Sequence, residues 1–215
     1  MIDFHPRLDI LPLPQRRLWL ELRCVPPDFV LYGGTALALH LGHRESVDFD
    51  FFAKGAIDPE LLAAEMPFMI DAEITQREKK TLSAIVNRGG PVKLSFFGVP
   101  RIGVLAPPHV CHDNGIKVAS LLDLAGTKAS VVQLRAEAKD YFDIAALLTD
   151  GGIDLPTALA AAKAIYGEQF NPQITLKALS FFDEGNLNHL PEATKILLAT
   201  AARDVDLDRL PELAR

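Results

Sequence analysis

Residues Ser46 to Phe52, reading Ser-Val-Asp-Phe-Asp-Phe-Phe, alternate polar and apolar with a period of two. That period predicts a β-strand with one face in a core and the other open. Val47, Phe49 and Phe51 take the inner face, and Asp48 and Asp50 project together from the other. Strands disfavour aspartate, so two on one face carry a cost that function explains; the plainer reading is the solvated face of an edge strand. Paired carboxylates suit Mg²⁺ or Mn²⁺, which bind through one or two carboxylates plus substrate phosphates. Just upstream, Asp28 to Tyr32 reads as a buried strand running into Gly33-Gly34-Thr35, and Thr35 to Leu41 as a helix stopped by Gly42. A glycine turn between strand and helix lets the backbone approach a phosphate, and the free N–H groups at the helix start attract anions. The Thr35 hydroxyl either caps the helix or touches a phosphate. Alone, the turn also fits an ordinary tight turn with an N-cap; beside the carboxylate pair it fits a magnesium–nucleotide site.

The chain has 215 residues, 49% hydrophobic and 23% charged, which is a globular composition. A net charge of −6 argues against a protein that simply coats nucleic acid, while leaving room for a local basic groove. Two sparsely spaced cysteines, Cys24 and Cys111, read as reduced thiols rather than a disulfide framework. No apolar run approaches the roughly 18 residues of a membrane span. The first residues lack a charged start followed by an apolar stretch, so no signal peptide is visible. The expectation is a cytoplasmic protein with no membrane contact.

After prolines 6, 12 and 14, apolar spacing at Leu18, Leu20, Leu22 and Val25 predicts one helix, ended by Pro26-Pro27. Asp58-Pro59 predicts a helix start that runs to about Glu65, with Asp58 as N-cap. Strands are predicted over 69–76, 81–87 and 91–97, the last two joined by a turn at Arg88-Gly89-Gly90. A strand or loop over 99–105 precedes Pro107-Pro108. Helical periodicity then dominates over 118–134, 138–148, 156–166, 172–182 and 191–203. The expected class is α+β: a mixed sheet flanked by helices over residues 1–107, then an all-helical region over 108–215 that completes the site or receives a partner.

Four elements in order resemble the AbiEii/AbiGii nucleotidyltransferase-like toxin proteins of the DNA polymerase beta superfamily. They are Gly33-Gly34-Thr35-Ala36-Leu37, then His43-Arg44-x-Ser46-x-Asp48-x-Asp50-Phe51, then Asp123-Leu124-x-x-x-Lys128, then Lys139-Asp140-Tyr141-Phe142-Asp143-Ile144. The resemblance covers about residues 28 to 148 and implies a nucleotidyltransferase-like fold. It implies transfer of a nucleoside monophosphate from a nucleoside triphosphate to an RNA, such as a tRNA end, or to a protein. It further implies a toxin restrained by a separate antitoxin. On this resemblance Gly33, Gly34 and Thr35 hold the triphosphate, with Arg44 and Ser46 in the element ahead of the carboxylates. Asp48 and Asp50 hold Mg²⁺ or Mn²⁺, Lys128 neutralises phosphate charge, and Asp140 or Asp143 completes the site as base, ligand or orienting group.

Without the resemblance, Lys128, Asp140 and Asp143 read as solvated helix-surface charges, the two aspartates sharing a face at i and i+3. Arg44 either contacts phosphate or forms a structural ion pair. Many polymerase-beta-like enzymes carry a third carboxylate on a later strand, here Val92 to Phe97, where Lys93 and Ser95 stand instead. Either the helical aspartates replace it or activity is impaired; Glu73 is a lesser substitute. Two other functions use the same residues: phosphotransfer from a magnesium–nucleotide site, and non-catalytic binding of nucleotide or a partner. His40 with His43, and His109 with His112 near Cys111, lack a third ligand in view and read as non-metal histidines.

Overall fold

The computed structural model describes residues 3–99 and 103–213. They fall into two compact units, one within Met1–Ile102 and Pro108–Ala119, the other within Gly103–Pro107 and Ser120–Arg215.

The first unit is built on eight strands: β1 (Asp3–Phe4), β2 (Phe29–Tyr32), β3 (Asp48–Ala53), β4 (Glu73–Glu78), β5 (Thr81–Asn87), β6 (Pro91–Gly98), β7 (His109–Cys111) and β8 (Lys117–Val118). They form one mixed sheet in the order β1-β7-β8-β2-β3-β6-β5-β4. β3 lies between antiparallel β2 and parallel β6. Phe49, Phe51 and Phe96 are fully buried on one face of this centre. The Phe51 and Phe96 rings stack at 5.2 Å, Phe29 meets Phe96 edge-on, and Trp19 lies 6.2 Å from Phe49. Asn87 Oδ1 accepts from the Gly89 and Gly90 amides and so fixes the β5–β6 hairpin.

Several local expectations change, and β4 begins at Glu73 rather than at residue 69. β3 starts at Asp48, and Val47 lies ahead of it with 60% exposure, because the pairing to β6 begins at Asp48. The helix expected over 15–25 is α1 (Leu13–Leu18) followed by a 3₁₀ segment, Trp19–Cys24. A three-residue turn aligns Trp19 with Leu22, both buried, and sends Leu20 outward. Val118, expected at the start of a helix, belongs instead to the strand Lys117–Val118, paired with both β2 and β7. Two further helices match their signals: α2 (Gly33–Leu41), stopped by left-handed Gly42, and α3 (Pro59–Glu65), capped by Asp58 on the Glu60 and Leu61 amides. Of the stretch expected over 99–105, residues 100–102 lie outside the described residues.

The second unit is helical: α4 (Leu121–Val131), α5 (Ala138–Thr149), α6 (Leu155–Tyr166), α7 (Pro172–Ala178) and α8 (Glu192–Arg203). α4 and α6 pack closely because Gly126 has no side chain; a Cβ there would stand 2.9 Å from the α6 backbone at Ala161. Asp123 works as a structural clasp. Its carboxylate accepts from the Leu105 and Ala106 amides and from the Ser120 hydroxyl, and Ser120 in turn caps α4. α7 ends well short of Phe182, since the Ser180 and Phe181 amides turn back to carbonyls three residues earlier. Among the described residues no helix is long and apolar enough to cross a membrane.

Candidate active site

β3 delivers its two carboxylates as its period requires. Asp48 and Asp50 are half-buried on one face, while Phe49 and Phe51 are buried on the other. Tyr32, the last residue of β2, pairs with Asp50, so the chain turns into α2 beside the second carboxylate. Gly33 makes that turn at φ +75°, and a Cβ there would stand 3.0 Å from Asp50 Oδ2. A Cβ on Gly34 would run into the Arg44 guanidinium and lie 3.2 Å from Ser46 Oγ. The two glycines thus leave bare backbone facing a carboxylate, a guanidinium and a hydroxyl, at the positive end of a nine-residue helix.

Thr35 does not cap α2; Tyr32 is the N-cap and no side chain serves it. The buried Thr35 hydroxyl instead donates to the Asp48 carbonyl and lies 2.9 Å from Ser46 Oγ. Helix start and acidic strand are therefore tied together. Arg44 Nη1 donates to the Glu45 carbonyl at 2.8 Å. Among the described residues no three His, Cys, Asp or Glu side chains form a metal-binding cluster. The hard-oxygen pair Asp48 and Asp50, with the Gly33-Gly34 backbone and the Arg44 guanidinium beside it, fits a cation that takes its other ligands from phosphate and water.

The register to β6 sets Lys93 beside Asp48 and Ser95 beside Asp50. Parallel neighbours share a face, so these are the positions next to the carboxylates. Lys93 is exposed; Ser95 is buried, its hydroxyl 3.4 Å from Ser83 Oγ on β5. Glu73 lies in the same row as Asp48 but three strands away, through Ile85 and Lys93, about 14 Å at the usual strand spacing. His40 and His109 are in ring contact at 5.1 Å, with Phe4 against both. His40 Nε2 donates to the Ala119 carbonyl at 2.9 Å, and burial holds its pKa down at about 4. His43 lies beyond the end of α2.

The second unit gathers the other expected residues. Lys128, on α4, lies 2.7 Å from Asp140 Oδ1 and 2.5 Å from Asp143 Oδ2, both on α5. The two carboxylates are wholly buried and the lysine nearly so. Arg135 adds a two-pronged bond to Asp140, Nε at 2.8 Å and Nη2 at 3.2 Å. Burial alone would raise the Asp140 pKa, but the Arg135 and Lys128 hydrogen bonds and charges outweigh it and hold the carboxyl below its usual 3.8. The solvated-surface reading of these residues is therefore wrong. Two cations and two anions balance, and the network fixes the Lys128 ammonium in one position.

A family model described as "Nucleotidyl transferase AbiEii toxin, Type IV TA system" matches residues 25–211. The chain belongs to this family. An uncharacterized protein of Aquifex aeolicus is 31% identical over 159 residues, 73% of this chain and 75% of that protein. A nucleotidyltransferase toxin of Mycobacterium tuberculosis, MenT4, shares the fold with a TM-score of 0.58 at 16% identity, covering 89% of this chain and 82% of that one. A putative nucleotidyltransferase from H. pylori does so at 0.54 and 17%, covering 88% and 91%. Membership in the AbiEii family makes the chain a nucleotidyltransferase, with a nucleoside triphosphate substrate and a divalent metal as the family's general requirement.

Sequence reasoning missed Arg135, although a signal for the buried network was there. Asp140, Asp143, Ile144 and Leu147 fall at i, i+3, i+4 and i+7, so the acids lie on the apolar stripe of α5 and had to be buried with it.

Proposed function

We propose that this AbiEii member moves a nucleoside monophosphate from a nucleoside triphosphate to an RNA, such as a tRNA, or to a protein, and releases pyrophosphate. The observation that carries the reading is the pair Asp48 and Asp50 on one sheet face beside the bare Gly33-Gly34 backbone. The glycine amides and the positive end of α2 receive phosphate oxygens. Arg44 adds a planar guanidinium suited to a second phosphate oxygen. Asp48 and Asp50 hold Mg²⁺ or Mn²⁺, which when bound neutralises the triphosphate and steadies the developing charge. The acceptor hydroxyl attacks the α-phosphorus in line and gives up its proton to water; the bond from that phosphorus to the bridging oxygen breaks and pyrophosphate departs. Lys128 with Asp140 and Asp143 is the second set of functional residues, an ammonium held in one position by two carboxylates. Family membership supports a toxin role restrained by an antitoxin protein.

The test is a label-transfer assay with Mg²⁺, each α-³²P nucleoside triphosphate in turn, and total RNA plus cell protein. Label on RNA or protein that vanishes in Asp48→Asn supports the reading and identifies base and acceptor class. Label carried only from the γ-position identifies phosphotransfer instead. Nucleotide binding with no transfer from either position identifies a binding-only member.

A further inference from the structure

On the reading that Asp48 and Asp50 hold a cation, the neighbouring strand decides how many cations the site takes. A second divalent ion would sit about 3.5–4 Å from the first. Asp48 and Asp50 can each bridge two ions through their two oxygens, but the second ion also needs a protein ligand of its own, and the place for it beside the pair is the flanking strand, about 4.8 Å from β3. The register fills both flanking positions with residues that cannot serve: Lys93 opposite Asp48 and Ser95 opposite Asp50. An ammonium excludes a cation, and the Ser95 hydroxyl is buried against Ser83. No third His, Cys, Asp or Glu joins the pair in a metal-binding cluster among the described residues. Nor are Asp140 and Asp143 spare ligands, for both are buried and bonded to Lys128, and Asp140 is bonded to Arg135 as well.

We infer that this site takes a single divalent cation, on Asp48 and Asp50, and that the exposed Lys93 ammonium supplies the second positive charge beside it. Lys93 flanks Asp48 at the strand's open end, where a compact ammonium competes with a metal for the carboxylate and attracts the anionic triphosphate. The charge then has opposite effects on the two ligands. It weakens binding of the metal alone and strengthens binding of the nucleotide.

Mn²⁺ is the probe, counted on the full chain by calorimetry and electron paramagnetic resonance, alone and with each of four α,β-methylene nucleoside triphosphates. One Mn²⁺ per chain, without spin coupling, is expected in both conditions. Lys93→Met should bind Mn²⁺ alone roughly five- to tenfold more tightly, the scale of one charge removed at this range. The same variant should bind the analogue more weakly, and Lys93→Arg should restore both values; a merely structural lysine would not move the two affinities in opposite directions. Two Mn²⁺ per chain with a coupled spectrum, or an unchanged Mn²⁺ affinity in Lys93→Met, overturns the inference and leaves the nucleotidyl-transfer reading standing. No Mn²⁺ in the wild type, or undiminished Mn²⁺ in Asp48→Asn, overturns both.

Discussion

The Lys128 ammonium and the Asp140 carboxylate meet at 2.7 Å with both side chains removed from solvent. Asp143 shares the same ammonium at 2.5 Å. Buried ion pairs are costly to break from one side, because the remaining charge stays in a low dielectric. Lys128→Met should therefore lower unfolding free energy by roughly 3–5 kcal/mol. The double variant Lys128→Met with Asp143→Asn leaves Arg135 on Asp140 and removes the surplus anion, and should regain about half of that loss. Urea midpoints check the stabilities. Label transfer measured on the folded variants reports whether this network serves the reaction as well as the fold.

How far the sequence could be read depended on whether a feature was local. The α2 stop at Gly42, the Asp58 cap and the β5–β6 hairpin rest on short-range chemistry, and each forms as its residues predict. The carboxylate pair on β3 was legible because a period of two sets its faces. Burial of Asp140 and Asp143 follows from their place on the α5 stripe, yet charge made them look solvated; their partners come from α4 and from the loop carrying Arg135. β1, β7 and β8 were not legible. They have two or three residues each, too short for a periodic signal, and exist through pairing with distant segments.

Thr35 is the joint between the phosphate-facing helix and the acidic strand. Its buried hydroxyl is bonded to the Asp48 carbonyl and to Ser46. Thr35→Val keeps the shape but leaves that carbonyl without its donor, which should cost about 1–2 kcal/mol. Thr35→Ser retains the donor and should recover most of the stability. If the joint also sets the Asp48 carboxylate, Thr35→Val should weaken Mn²⁺ binding by more than Thr35→Ser, measured by calorimetry on folded protein.

His40 gives the first unit a defined acid sensitivity. Burial lowers its pKa from 6.5 to about 4, against the opposing pull of its hydrogen bond to Ala119. The unfolded chain therefore binds a proton that the folded chain refuses, and stability rises with pH in that interval. The contribution is complete above pH 6.5 and is lost as pH falls from there towards 4. Roughly 1–2 kcal/mol should disappear between pH 8 and pH 5. His40→Phe should flatten this limb of the stability profile. A second decline below pH 3.8 belongs to Asp140, whose depressed pKa stabilises the fold only while it is ionised.

The two glycines ahead of α2 should separate stability from binding. Gly33 holds φ +75°, where an alanine costs about 1–2 kcal/mol, and its new Cβ would also press on Asp50 Oδ2. Gly33→Ala should thus lose stability and nucleotide affinity together. Gly34 has no such backbone demand, and what its Cβ would meet first is the far end of Arg44, a side chain able to swing away. Alanine is the better helix former by up to about 1 kcal/mol, so Gly34→Ala should be neutral or slightly stabilising in urea. It nevertheless places a methyl group on the backbone proposed to receive phosphate and displaces the guanidinium beside it. Calorimetry with a nucleoside triphosphate analogue should show affinity falling at least tenfold while the urea midpoint holds. Undiminished affinity would remove the glycine backbone from the phosphate site.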